Sequence, residues 1–215
     1  MDKETPRTKT RNNDEEKLMK NLLVDYIPFE LSAEQINESL KENNGKLVVK
    51  GVLQRANAKN QNGRVYPMEI LQREAKNYSE NFIVQKRALG ELDHPDSSVV
   101  NLQNVSHNIT EMHFEGENLL GTVEILTTPS GNILRELFKN GIKLGISSRG
   151  MGSVEAIEEA DGKPVMKVGK DFELIAFDFV SNPSTHGAFL SPVNESVQKV
   201  VADKYSNINN IITNI

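Results

Sequence analysis

Between residues 46 and 181 the apolar residues recur mostly in short runs broken by turn-forming residues. That spacing restricts the fold more than any other feature of the chain. Strand-like runs fall at 46–53, 119–126, 143–148, 164–168 and 172–181, and Val105, His107 and Ile109 line one face of a further strand. Gln61-Asn62-Gly63-Arg64, Glu115-Gly116-Glu117-Asn118 and Asp161-Gly162 read as turns. Helical spacing appears in few places. Ser32 is an N-cap ahead of Ala33-Glu34-Gln35, and Pro67 opens a helix carrying Ile70, Leu71, Ala75 and Tyr78. Ser130 caps a short helix with Ile133, Leu134, Leu137 and Phe138, which Gly141 ends. The pattern predicts an antiparallel barrel or sheet with helices around it, not a doubly wound fold.

Residues 1–20 are dense in charge and asparagine and read as a disordered arm. Residues 21–45 are a partly helical lead-in, 46–192 the functional domain, and 193–215 a polar, weakly helical tail. At 215 residues with 37% hydrophobic side chains, one domain with tails can build a core. The N-terminus lacks the apolar stretch of a secretory signal, and no run approaches the ~20 apolar residues of a membrane span. The expectation is a soluble intracellular protein.

The chain has no cysteine, which excludes disulfides, thiolate metal sites and a cysteine nucleophile. A net charge of −5 gives no bulk attraction to nucleic acid or anionic membranes. Any catalysis must use histidine, serine, threonine, lysine or carboxylates. His107, Glu111 and His113 share parity on one strand, but His107 and His113 lie about 20 Å apart at ~3.3 Å per residue. We therefore expect no metal site there, and read these residues as cross-strand polar pairs at a sheet surface.

Two segments do not read as ordinary core. Leu89-Gly90-Glu91-Leu92-Asp93-His94-Pro95 sets a histidine among carboxylates, pinned by proline. Lys143-Leu144-Gly145-Ile146-Ser147-Ser148-Arg149-Gly150-Met151-Gly152 is a strand ending in hydroxyls, a guanidinium and glycines. A serine hydroxyl needs an imidazole within hydrogen-bond reach to become a nucleophile, and the imidazole needs an orienting group. His94 and Ser147 have the chemistry of such partners, while the same residues also suit a surface turn and a phosphate-binding nest.

Together the two segments resemble the prohead (procapsid) core serine proteases of large contractile-tailed phages. The resemblance continues upstream to Gly63-Arg64-Val65-Tyr66-Pro67 and downstream to Phe177-Asp178-Phe179-Val180-Ser181-Asn182-Pro183-Ser184, covering roughly residues 46–192. It implies an α+β fold, mainly β: a mostly antiparallel β-barrel surrounded by a few helices, as in herpesvirus assemblin-type proteases. It also implies His94 as general base and Ser147 as nucleophile, with Ser148 the fallback, because neighbours on a strand face opposite ways. Asp178 matches a family acid that would orient His94; His186 and Asp93 compete for that role. Arg149 and Gly150 are the candidates for holding the oxyanion. The implied reaction is endopeptidase cleavage of procapsid scaffold or core proteins and of the major capsid protein, inside a procapsid assembled in the host cytoplasm. Cleavage after glutamate is implied, with self-cleavage at Glu159 in Ile157-Glu158-Glu159-Ala160. The resemblance further implies no cofactor, a possible homo-oligomer, and no direct nucleic-acid or membrane role. The rival expectation is a non-catalytic procapsid component with a degenerate protease fold.

Overall fold

A computed structural model describes residues 20–29, 31–158 and 164–181. They hold ten strands in three sheets, three α-helices and a π-helical turn over Ser79–Ile83. The first sheet sets β7 (Leu144–Gly152) between β1 (Asn21–Phe29) and β10 (Glu173–Val180), antiparallel to both. The second runs β2 (Leu47–Arg55), β6 (Asn118–Ile125), β5 (Val105–Glu115), β4 (Leu89–Glu91), again antiparallel throughout. The third is β3 (Arg64–Val65) parallel to β9 (Pro164–Val168), which pairs antiparallel with β8 (Val154–Glu158).

The expected closed barrel is not found. A single parallel bridge, Leu92 to Phe179, joins the first two sheets, and among the described residues no ladder joins β1 to β2. Those two strands meet through side chains instead, with the Phe29 ring lying on Gly51. A second difference lies in the lead-in. Residues 21–29 form a full strand whose register runs from Asn21 opposite Gly152 to Phe29 opposite Leu144. Its sequence, NLLVDYIPF, lacks clean alternation because Leu22, Val24 and Tyr26 on the second face are also partly covered.

Helix ends follow local rules. Ser32 caps α1 (Ala33–Glu42) with a reciprocal capping box to Gln35. Buried Ser39 then donates to Val48 O and accepts from Val48 N, fastening α1 to β2. Pro67 precedes α2 (Met68–Tyr78), which turns Ile70, Leu71, Ala75 and Tyr78 inward. The cap of α3 (Pro129–Lys139) is Thr128, not the expected Ser130: its hydroxyl accepts from Gly131 N, which leaves Pro129 at the first helical position where its missing N–H costs nothing.

The core centres on Phe179. Its ring meets Phe29 and Phe138 edge-on, each at 5.3 Å, and His107 at 4.8 Å. His107 thus lies in the interior, correcting the expected surface position. Alternation did place it with Val105 and Ile109, but that face is the core. Its Nδ1 accepts from Ser106 Oγ and its Nε2 donates to Phe177 O, so the imidazole ties β5 to β10. His113 is exposed and contacts Glu115 of its own strand, while its cross-strand neighbour is Leu120.

Burial lowers His107 to a pKa of about 4, with the Phe177 carbonyl opposing. The folded chain then resists a proton that the unfolded chain accepts near 6.5. Its contribution to stability is complete above pH 6.5 and is lost as pH falls from there towards 4, up to about 3 kcal/mol. Urea unfolding at pH 7 and pH 4.5 should show that loss in the native chain and less of it in His107→Gln; equal losses in both would refute it.

Candidate functional site

Strand β7 is central in its sheet, so pairing fixes the direction of each side chain. Ser147 lies between Tyr26 and Asp178, and Ser148 between Asp25 and Phe177. The two adjacent serines therefore occupy opposite faces and different chemistries.

Ser148 faces the interior and is satisfied. Its hydroxyl accepts from Gln54 Nε2 at 2.9 Å and donates to Asp25 O at 3.4 Å. The Asp25 carboxylate in turn accepts from Arg64 Nη1 at 2.9 Å, from Asn62 Nδ2 at 2.7 Å and from the Tyr66 hydroxyl. Burial, with Asp25 alongside, raises the Tyr66 hydroxyl well above its ordinary range and keeps it a donor. The Gly63-to-Pro67 segment thus has a structural use: Arg64 and Tyr66 anchor β1 behind the serine pair.

Ser147 lies on the other face. It is 1% exposed, and its Oγ has no hydrogen-bond partner among the described residues. Buried hydroxyls are nearly always paired, so an orphan on a central strand calls for a reason. Two residues along the same face, the buried Arg149 guanidinium bonds Asp178 through Nε at 2.8 Å and through Nη2 at 3.2 Å. Nη2 also reaches Glu91 at 3.1 Å, and Nη1 donates to Ser97 O at 2.6 Å.

The segment carrying His94 docks beside this face. Leu92 bridges Phe179, and Asp93 N donates to Phe179 O at 2.7 Å, one residue beyond the Asp178–Ser147 pair. Asp93 adopts φ +65°, turning the chain sharply ahead of half-buried His94 and Pro95. His94 Nδ1 is buried without a partner, like Ser147 Oγ. Upstream, Gly90 permits a close approach: a Cβ there would fall 2.0 Å from Phe177 O and 2.2 Å from His107 Nε2.

Asp178 is buried with three hydrogen bonds, to Arg149 twice and to Glu91 N at 3.0 Å, and none to His94. Burial pushes its carboxyl up, and Arg149 opposes the rise. Asp93 is exposed and accepts only from His94 N. Arg149 has no idle donor for an oxyanion, its nitrogens being spent on carboxylates and carbonyls. Gly150 faces Phe172, where a Cβ would meet the ring at 2.4 Å, so packing accounts for that glycine. His186 and Glu159 lie outside the described residues. Sequence reasoning gave no role to Glu91, although it stood in the His94 segment, nor to Asp25, which no motif marks.

A cavity of about 890 Å³ lined by Ile70, Ser153, Lys167, Val168 and Asp171 contains none of these residues. Among the described residues no three metal-ligating side chains cluster, and no helix is long and apolar enough to cross a membrane.

The two serines should differ in unfolding experiments. Ser148→Ala removes two hydrogen bonds and strands Gln54 Nε2, costing about 1–3 kcal/mol. Ser147→Ala removes no hydrogen bond and lifts the cost of a buried unpaired hydroxyl, so it should leave stability level or raise it. A Ser147→Ala loss as large as that of Ser148→Ala would contradict the assignment of faces.

Comparison with known proteins converges on one group. The family model described as prohead core protein serine protease matches residues 15–198. The prohead core protein protease of Enterobacteria phage T4 is 30% identical over 173 residues, covering 79% of this chain and 78% of its own. The solved structure of the bacteriophage T4 capsid assembly protease superposes with a TM-score of 0.63 at 24% identity. That match covers 76% of this chain and 99% of the other, and it speaks to fold.

Proposed function

Because the chain belongs to the prohead core protein serine protease family, we propose that it is a serine endopeptidase of procapsid maturation, with Ser147 as nucleophile and His94 as general base. One observation carries the choice of serine. Ser148 spends its hydroxyl on Gln54 and Asp25, whereas Ser147 Oγ, buried on the opposite face, is bonded to nothing among the described residues. His94 Nδ1, on the segment docked against β10, is likewise unpartnered among the described residues. Catalytic hydrogen bonds often tighten only once substrate is bound.

In the proposed reaction His94 takes the Ser147 proton as Oγ attacks a peptide carbonyl. It then returns that proton to the leaving amine, and water hydrolyses the acyl-enzyme. No cofactor enters these steps. At 1% exposure Ser147 meets a peptide only after its covering groups move aside.

The substrates are procapsid scaffold or core proteins and the major capsid protein, cut after glutamate inside the procapsid, where copies of the chain associate with one another. The string from Ile157 through Ala160 is the proposed self-cleavage site, with the cut after Glu159. The charge of −5 favours peptide contacts over nucleic acid as the basis of recognition. Charge also gives no reason to expect a membrane role.

A fluorophosphonate probe and intact mass spectrometry test this reading. The native chain and Ser148→Ala should be labelled and should be nicked after Glu159, giving two fragments in denaturing mass spectrometry, while Ser147→Ala does neither. His94→Ala should reduce cleavage by 10³ or more. Cleavage by Ser147→Ala would overturn the assignment. A native chain that neither labels nor cleaves would favour a structural component with a degenerate site.

A further inference from the structure

Arg149 is 0% exposed and bonds β10, β4 and the loop that follows His94. It sits on the Ser147 face of β7, and through Nε and Nη2 it holds Asp178, the residue directly across from Ser147. Nη2 also reaches Glu91 Oε1, three residues before His94. Nη1 donates to Ser97 O, three residues after His94, and at 3.5 Å to Val99 O. Glu91 closes the loop from its other side: its Oε1 accepts from Asn101 N at 2.9 Å and its own N donates to Asp178 Oδ1. The loop bearing His94 is therefore gripped before and after the imidazole by one buried guanidinium rooted beside the nucleophile.

Resting on the assignment of Ser147 and His94, we propose that Glu91 and Arg149 are positioning residues of the site: bonded to each other and to Asp178, they set the His94 loop against Ser147 and touch no reacting atom. Stability alone does not account for this cluster. Buried ion pairs often contribute no more than well-packed apolar groups of the same volume. This one sets two carboxylates against a single guanidinium and leaves Glu91 Oε2 buried without a partner. What the cluster does supply is direction. A planar guanidinium offers donors in a fixed fork, which fits a carboxylate on one edge and backbone carbonyls on another. A lysine ammonium has neither the shape nor the number of donors for that task.

Glu91 acts on the loop from beneath it, so its loss should damage catalysis only if the loop's placement matters. The experiment compares Glu91→Gln and Arg149→Lys with the native chain, using a peptide containing Ile-Glu-Glu-Ala, corrected for the folded fraction of each preparation. Both variants should keep KM within about twofold. Glu91→Gln should lose about tenfold in kcat and Arg149→Lys about a hundredfold. Amide exchange of residues 93–101 should quicken in both, while exchange in β1 stays unchanged. Unaltered kcat per folded molecule, or unaltered exchange in the loop, would overturn the positioning role. A kcat loss confined to Arg149→Lys, with Glu91→Gln at the native rate, would also overturn it. If the native chain neither cleaves the peptide nor labels at Ser147, the nucleophile reading fails, and the positioning role falls with it.

Discussion

Everything in the site depends on β7 being paired along both edges. A strand flanked by β1 and β10 cannot rotate, so its residues alternate strictly between the core and the face under the His94 segment. That constraint separates two adjacent serines that are chemically identical. It also explains why this strand reads as a run of small and polar residues while being buried almost throughout. Both faces are covered, one by the aromatic core and the other by polar contacts with loops and neighbouring strands.

Each face carries its own buried charge cluster. Behind Ser148, Asp25 is held by Arg64, Asn62 and Tyr66, so every oxygen of its carboxylate has a donor. Beside Ser147, Arg149 is shared between Glu91 and Asp178. Buried charge is expensive unless paired and hydrogen-bonded, and removing one partner is costly for that reason. The first cluster joins β1 to the turn before α2 and gives the central strand a firm back. The second joins β7, β10 and the loop after β4. Between them stands Ser147, whose hydroxyl neither cluster uses. A hydroxyl left unspent in a rigid surround suits the proposed nucleophile, since its partner must be free to bond it when substrate arrives.

His107 belongs to the same framework from the second sheet. Its imidazole, neutral because it is buried, holds Phe177 O, while Phe177 and Phe179 fill the core on either side of Asp178. The motif Phe177-Asp178-Phe179 is thereby explained by alternation alone: two rings inward and one carboxylate outward. The carboxylate's face is nevertheless dry, because the loop that Arg149 grips lies over it.

Much of this was readable along the chain, because period, caps and turn residues act over a few neighbours. The β character, the Ser32 cap, the Glu115-to-Asn118 turn and the segments around His94 and Ser147 are local facts, as is the opposition of Ser147 to Ser148. Strand β1 was hidden because both its faces are partly covered, which erases alternation. The burial of His107, and the absence of a closed barrel, depend on which sheets meet, as do the roles of Asp25 and Glu91. So too does the use of Arg149, whose five partner atoms come from four residues, none of them within 25 positions of it. The sequence by itself determined the residue types that chemistry requires and the faces of the strand that bears them. Only the tertiary structure decided which hydroxyl is left unbonded and which guanidinium is consumed, because those outcomes depend on long-range partners that no local pattern encodes.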